Sequence, residues 1–165
     1  MHNATYYEIF ITAVSLFSLI LFLWILLIVN GFLRNPLKLS AKRFKMLLKN
    51  IIELNISLNS SYSKQSDIYL NKSRKYIKII IRYLRQYNYE NDDDRIKNVT
   101  NKLQSIDISL SLTKKVCFQS GSKEAINMLN PLIEELKELQ EMVDFVKDEN
   151  ILYEASYKEK YKKNK

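Results

Sequence analysis

Glycine and proline are nearly missing from this chain: Gly31, Gly121, Pro36 and Pro131 are all it has in 165 residues. A β-rich domain of this size needs many more turn-formers, so the scarcity argues for helices and against sandwiches and barrels. It also leaves too few glycines for a phosphate-cradling loop. Histidine occurs once, at His2, which removes imidazole acid–base chemistry and most zinc sites from the rest of the chain. The single cysteine, Cys117, cannot form an intrachain disulfide, in keeping with a reducing compartment. Nothing here combines a nucleophile, a base and an orienting group. An enzyme is therefore not expected, nor is a cofactor, a metal or a small-molecule substrate.

Charge is also missing from one long stretch, since no Asp, Glu, Lys or Arg lies between Glu8 and Arg34. As a helix rising ~1.5 Å per residue, Ile9 to Val29 would span about 31 Å, the thickness of a bilayer's hydrocarbon core. Only Thr12, Ser15 and Ser18 are polar within it. A cleaved secretion signal fits less well: residues 1–8 carry no Lys or Arg, the run is long, and Val29-Asn30-Gly31 is a poor small-residue cleavage site. Arg34, Lys38, Lys42, Arg43, Lys45 and Lys49 crowd one flank and no basic residue precedes the run. Positive charge stays on the cytoplasmic side, so the expectation is a signal-anchor with its N-terminus outside and the remainder inside. The expected division is a short outer segment at 1–8, a transmembrane helix at 9–33, a helical domain at 34–157 and a basic tail at 158–165.

The part after residue 33 carries all 26 basic residues and all but one of the acids. It reads as four amphipathic segments. Asn35-Pro36 resembles a helix start, and Phe44, Leu47, Ile51, Leu54 and Leu58 then recur at steps of three and four. The second segment places Tyr69, Tyr76, Ile80, Tyr83 and Tyr87 on one face, flanked by Ile77 and Leu84. Asp92, Asp93 and Asp94 break the pattern and suit helix capping better than cation binding. The third segment carries Ile96, Val99, Leu103, Ile106, Leu110, Thr113 and Cys117, and Ser120-Gly121-Ser122 ends it. Asn130-Pro131 resembles another start, followed by Leu132, Leu136, Leu139, Val143 and Val146 in a heptad step. Asn150 and Tyr153 continue that phase, with Asn150 read as solvated rather than as a buried, register-fixing residue. Four such segments with short connections predict an all-α chain: an antiparallel bundle of about four helices behind a single transmembrane helix.

Charge is unevenly shared among the segments. Residues 62–90 hold seven basic side chains against two acidic, and residues 122–155 hold nine acidic against three basic. Lys72, Lys75, Lys78, Arg82 and Arg85 recur opposite the apolar face of the second segment. Glu134, Glu138 and Glu141 recur opposite the leucine stripe of the fourth. These are the candidate interaction faces. The composition points to a membrane-tethered helical scaffold that presents charged faces to a protein partner or to copies of itself at the inner membrane surface. A small membrane effector of viral or phage-defence type, acting through an oligomerised span, is the second reading. Membrane-localised nucleic-acid binding through the basic segment and its interleaved tyrosines is the third reading, with a simply solvated surface as the plainer account of that face.

Overall fold

The computed structural model describes residues 2–32 and 35–162, with side chains described for 10–25, 35–153 and Ala155. Among the described residues there are five α-helices and no strand: α1 (His2–Phe32), α2 (Pro36–Leu58), α3 (Lys64–Asn91), α4 (Asp94–Ser120) and α5 (Ser122–Lys162). The chain divides into two compact units, Met1–Asn35 and Pro36–Lys165.

The first unit is α1. Its side chains from Phe10 to Ile25 are exposed on every side of the helix, Trp24 at 65 % among them. Among the described residues, no helix is long and apolar enough to cross a membrane. The stretch with described side chains falls short of the ~20 residues that a bilayer core requires. Ile9 and Val29, the expected ends of the span, lie outside those side chains, and Arg34 lies outside the described residues altogether. The helix is thus observed, and the single transmembrane span expected from the sequence is not supported by the described residues.

The second unit is a four-helix bundle. α2 packs on α3, α3 on α4, α4 on α5, and α5 closes the circuit on α2, which leaves α3 and α5 at opposite corners. Its connections are short and chemically specified. Ser63 caps α3, exchanging hydrogen bonds with Ser66 in a reciprocal capping box. Asp92 ends α3 in a left-handed conformation, and Asp93 caps α4 by accepting from the Arg95 amide. The aspartates are caps, as the sequence suggests. Gly121, at φ +93, ends α4 and donates its amide to the Cys117 carbonyl, and α5 begins at the next residue. Such tight turns force antiparallel neighbours. Asp67 meets Lys114 and Arg74 meets Asp107, so positions fall on one helix as they rise on the other.

The interior follows the apolar stripes closely on two helices. Phe44, Leu47, Ile51, Leu54 and Leu58 of α2 are buried, as are all seven stripe residues of α4 from Ile96 to Cys117. On α3 the buried stripe takes Ile80 and Tyr87 of the expected face together with its flanking Ile77 and Leu84, and leaves the other three tyrosines at the edge. Leu70, Ser73, Ile77, Ile80, Leu84 and Tyr87 are buried, while Tyr69, Tyr76 and Tyr83 are half-buried at its edge. A phenol that buries its ring and wets its hydroxyl belongs at such an edge. On α5, Ile133 is buried and Leu132 only partly so.

Two further expectations are corrected. Asn130-Pro131 does not start a helix, because α5 runs unbroken from Ser122 with Ala125 and Leu129 already in the core. Residues 127 and 131 both lie on the exposed side, where water can replace the bond that proline cannot donate. Asn150 is not solvated: it is part-buried, and its amide donates to the Tyr87 hydroxyl and to the Val146 carbonyl. Tyr153 falls outside the stripe and is 69 % exposed.

Candidate functional site

The bundle's outer faces carry the charged candidates, and each is placed by the helix that buries its opposite side. Burying Leu70, Ile77, Ile80 and Leu84 turns Lys72, Lys75, Lys78, Arg82 and Arg85 of α3 outward, and all five are exposed. None of the five has an acidic partner among the described residues. The structure splits them into two groups. Lys78, Arg82 and Arg85 form one wall of an open groove of about 560 Å³ between α3 and α4. Gln104 and Asp107 stand opposite, with Ile81 and Ile108 between. Lys75 adjoins this row beside Arg74 and Lys78. Lys72 belongs elsewhere, in a groove of about 420 Å³ between α2 and α3 with Lys49, Glu53, Tyr69 and Tyr76.

Arg74 is withdrawn from the basic row by its own partner. Its guanidinium forks onto Asp107, Nε to Oδ1 at 2.9 Å and Nη2 to Oδ2 at 3.4 Å. The hydrogen bond to Asp107 holds the Arg74 pKa above the usual guanidinium value. A two-point pair like this fixes direction as well as attraction, so it sets the α3–α4 register.

On α5, Glu134, Glu138 and Glu141 are exposed on the side away from the core. Glu134 pairs with Lys137 on its own helix at 2.8 Å. Glu138 and Glu141 have no basic partner among the described residues. Further along the same face Phe145 is 62 % exposed, and the Arg95 guanidinium of α4 lies 6.0 Å from its ring centroid while pairing with Glu149.

The basic cluster that follows α1 is also ordered by its helix. Lys38, Lys42, Lys45 and Lys49 step by four, three and four along α2, and all four are exposed. Arg43 departs from that row. It is half-buried, its Nη1 donates to Met46 Sδ at 3.6 Å, and its guanidinium sits 5.8 Å from the Tyr76 ring centroid. The sequence showed six basic residues as one group; the step of four, three and four was the signal that separates the row from Arg43.

A polar cluster at the α2–α3 turn is structural. The Tyr62 hydroxyl donates to Asp67 at 2.7 Å, Lys114 reaches the same carboxylate at 3.0 Å, and the Tyr62 ring packs on Phe118. Burial, together with the bond to Asp67, pushes the Tyr62 pKa up. The Tyr62 bond, then Lys114, holds Asp67 below the usual carboxylate value. Cys117 is buried nearby with Sγ 3.4 Å from Ser122 Oγ. Among the described residues, no three His, Cys, Asp or Glu side chains converge as metal ligands would. No family model matches the chain, and neither a curated protein nor a solved structure matches it.

Proposed function

We propose that this protein is a membrane-tethered helical scaffold whose four-helix bundle presents charged faces to a protein partner, or to copies of itself, at the inner membrane surface. The observation that carries the reading is the contrast between the two units. Every described side chain of α1 is exposed and nearly all are apolar, whereas the bundle buries a complete core of its own. A helix that is apolar all round needs a non-aqueous surround. Lipid supplies one when residues 9 and 26–29 extend the apolar stretch to bilayer length.

The lysine row of α2 supports the same reading, since each Lys or Arg close to anionic lipid contributes roughly 1 kcal/mol. With the basic flank on the inner side, the N-terminus faces out and the bundle faces the cytoplasm. Tethering confines copies to a plane and raises their effective concentration, so weak charged faces suffice. Flotation with vesicles tests the proposal: the full chain should rise with lipid and residues 36–165 alone should remain soluble and helical. A full chain that stays in the aqueous fraction contradicts it. Ion leakage produced by residues 1–45 alone would favour the effector reading instead.

A further inference from the structure

Two outer rows of the bundle share one spacing. On α3, Lys78, Arg82, Arg85 and Tyr89 step by four, three and four; on α5, Glu134, Glu138, Glu141 and Phe145 do the same. All eight side chains are exposed, Tyr89 to 92 %. Each row is three charges of one sign followed by an aromatic ring, over a rise of about 17 Å. α3 and α5 also run in the same direction, because they are alternate members of an antiparallel circuit. They stand at opposite corners of the bundle, so neither row can reach the other within one chain.

From this geometry we infer that the partner of the basic row is a second copy of this chain, which docks its α5 row in parallel onto α3. Lys78 then lies beside Glu134, Arg82 beside Glu138, Arg85 beside Glu141, and Tyr89 beside Phe145. Because the two rows lie at opposite corners, the contact is heterologous and repeats head to tail. Tyr87 lies level with Asn150 within one chain, so the pairing staggers successive copies by about seven residues, ~10 Å, along the bundle axis. The parallel sense is the one that copies tethered to a common surface share, and to that extent the inference rests on the proposed tethering. The lysine row of α2 is a poorer match. It runs antiparallel to α5 and continues into Ile52 and Ile56, with no ring to meet Phe145. A contact of three exposed ion pairs and one ring pair is small and salt-sensitive, so it is populated when copies are held close together.

Asn71 and Asn127 lie seven residues before Lys78 and Glu134, are both exposed, and belong to neither row. They are suitable crosslinking positions. Chains carrying Cys117→Ser with either Asn71→Cys or Asn127→Cys are reconstituted together into phosphatidylcholine vesicles and oxidised. The contact predicts 71–127 crosslinks about tenfold above 71–71 or 127–127, falling to background in ~1 M salt, where screening reaches ~3 Å. Charge reversal at Lys78, Arg82 and Arg85, or at Glu134, Glu138 and Glu141, should abolish the crosslink. Mixing the two reversed chains should restore it.

Equal yields for all three pairings in chains recovered with the vesicles would overturn the contact and leave the tethering intact. Insensitivity to charge reversal would also overturn it, as would a preference of residue 127 for a cysteine on α2. If the chain is not recovered with vesicles, the tethering fails. The same pairs are then scored at high concentration in solution, where an absent 71–127 preference overturns the contact as well.

Discussion

The Asn150 side-chain amide of α5 donates to the Tyr87 hydroxyl of α3 at 2.6 Å, bridging helices that otherwise stand at opposite corners of the bundle. The same amide also donates to the Val146 carbonyl at 3.1 Å. This is a diagonal tie at one end of a largely apolar core, and it fixes how far α5 slides along α3. Tyr87→Phe should destabilise the bundle by about 1 kcal/mol in urea unfolding, the usual net value of such a bond. An unchanged midpoint would show that water replaces the hydroxyl at no cost.

Two buried hydroxyls lack the partners that Tyr87 has. Ser73 Oγ and Thr113 Oγ1 are buried with no hydrogen-bond partner among the described residues. Replacing an unsatisfied buried donor by an apolar group of similar size removes a desolvation cost of ~1–3 kcal/mol. Ser73→Ala and Thr113→Val should therefore leave stability unchanged or raise it, by up to about 1 kcal/mol each. Destabilisation by either would mean that the hydroxyl is satisfied in solution.

The apolar stripe of α4 can be tested directly. Leu103 is fully buried, so Leu103→Ala should cost ~2–5 kcal/mol through lost burial and a residual cavity. Ile108→Ala, on the exposed side of the same helix, should change stability by less than ~0.5 kcal/mol. Comparable losses at the two positions would contradict the orientation of α4.

Acid should loosen the bundle through two aspartates. Asp67 is held below the ordinary carboxylate value of 3.8 by the Tyr62 bond first and Lys114 second. Asp93 is held below the same value chiefly by the Arg95 side chain. A carboxyl with a lowered folded-state pKa contributes stability that is fully present above the unfolded value of 3.8 and is lost as pH falls through the folded one. Unfolding midpoints should therefore drop below about pH 4, and Asp67→Asn combined with Asp93→Asn should flatten that limb. A limb of unchanged steepness would assign the acid sensitivity to other groups.

Much of the bundle is legible in the sequence because its core positions are plainly apolar. The α2 and α4 stripes could be read residue by residue, since Leu, Ile and Val at steps of three and four leave one face to bury. On α3 the reading held for Ile77, Ile80, Leu84 and Tyr87 and failed for Tyr69, Tyr76 and Tyr83. The buried residues there include Ser66 and Ser73, which look polar, while the half-buried tyrosines look apolar. Pro131 misled for a related reason: proline at a first helical turn and proline on an exposed helical side are the same in sequence. The charged rows were visible as spacings. That Lys72 lies apart from Lys78, Arg82 and Arg85 was not, because it depends on which neighbour helix adjoins each side of α3. Tyr89 and Phe145 escaped notice because each continues the spacing of its row with a ring where the earlier members are charged.

The most direct test of the proposed scaffold is labelling of intact cells with a membrane-impermeant thiol reagent. Cys117 is buried and reports poorly, so it is replaced by serine and single cysteines are placed at residue 3 and at Tyr89, which is 92 % exposed. The account predicts that residue 3 labels in intact cells and that residue 89 labels only after permeabilisation, with the chain in the membrane fraction. Labelling at 89 in intact cells, or recovery of the chain in the soluble fraction, would contradict it.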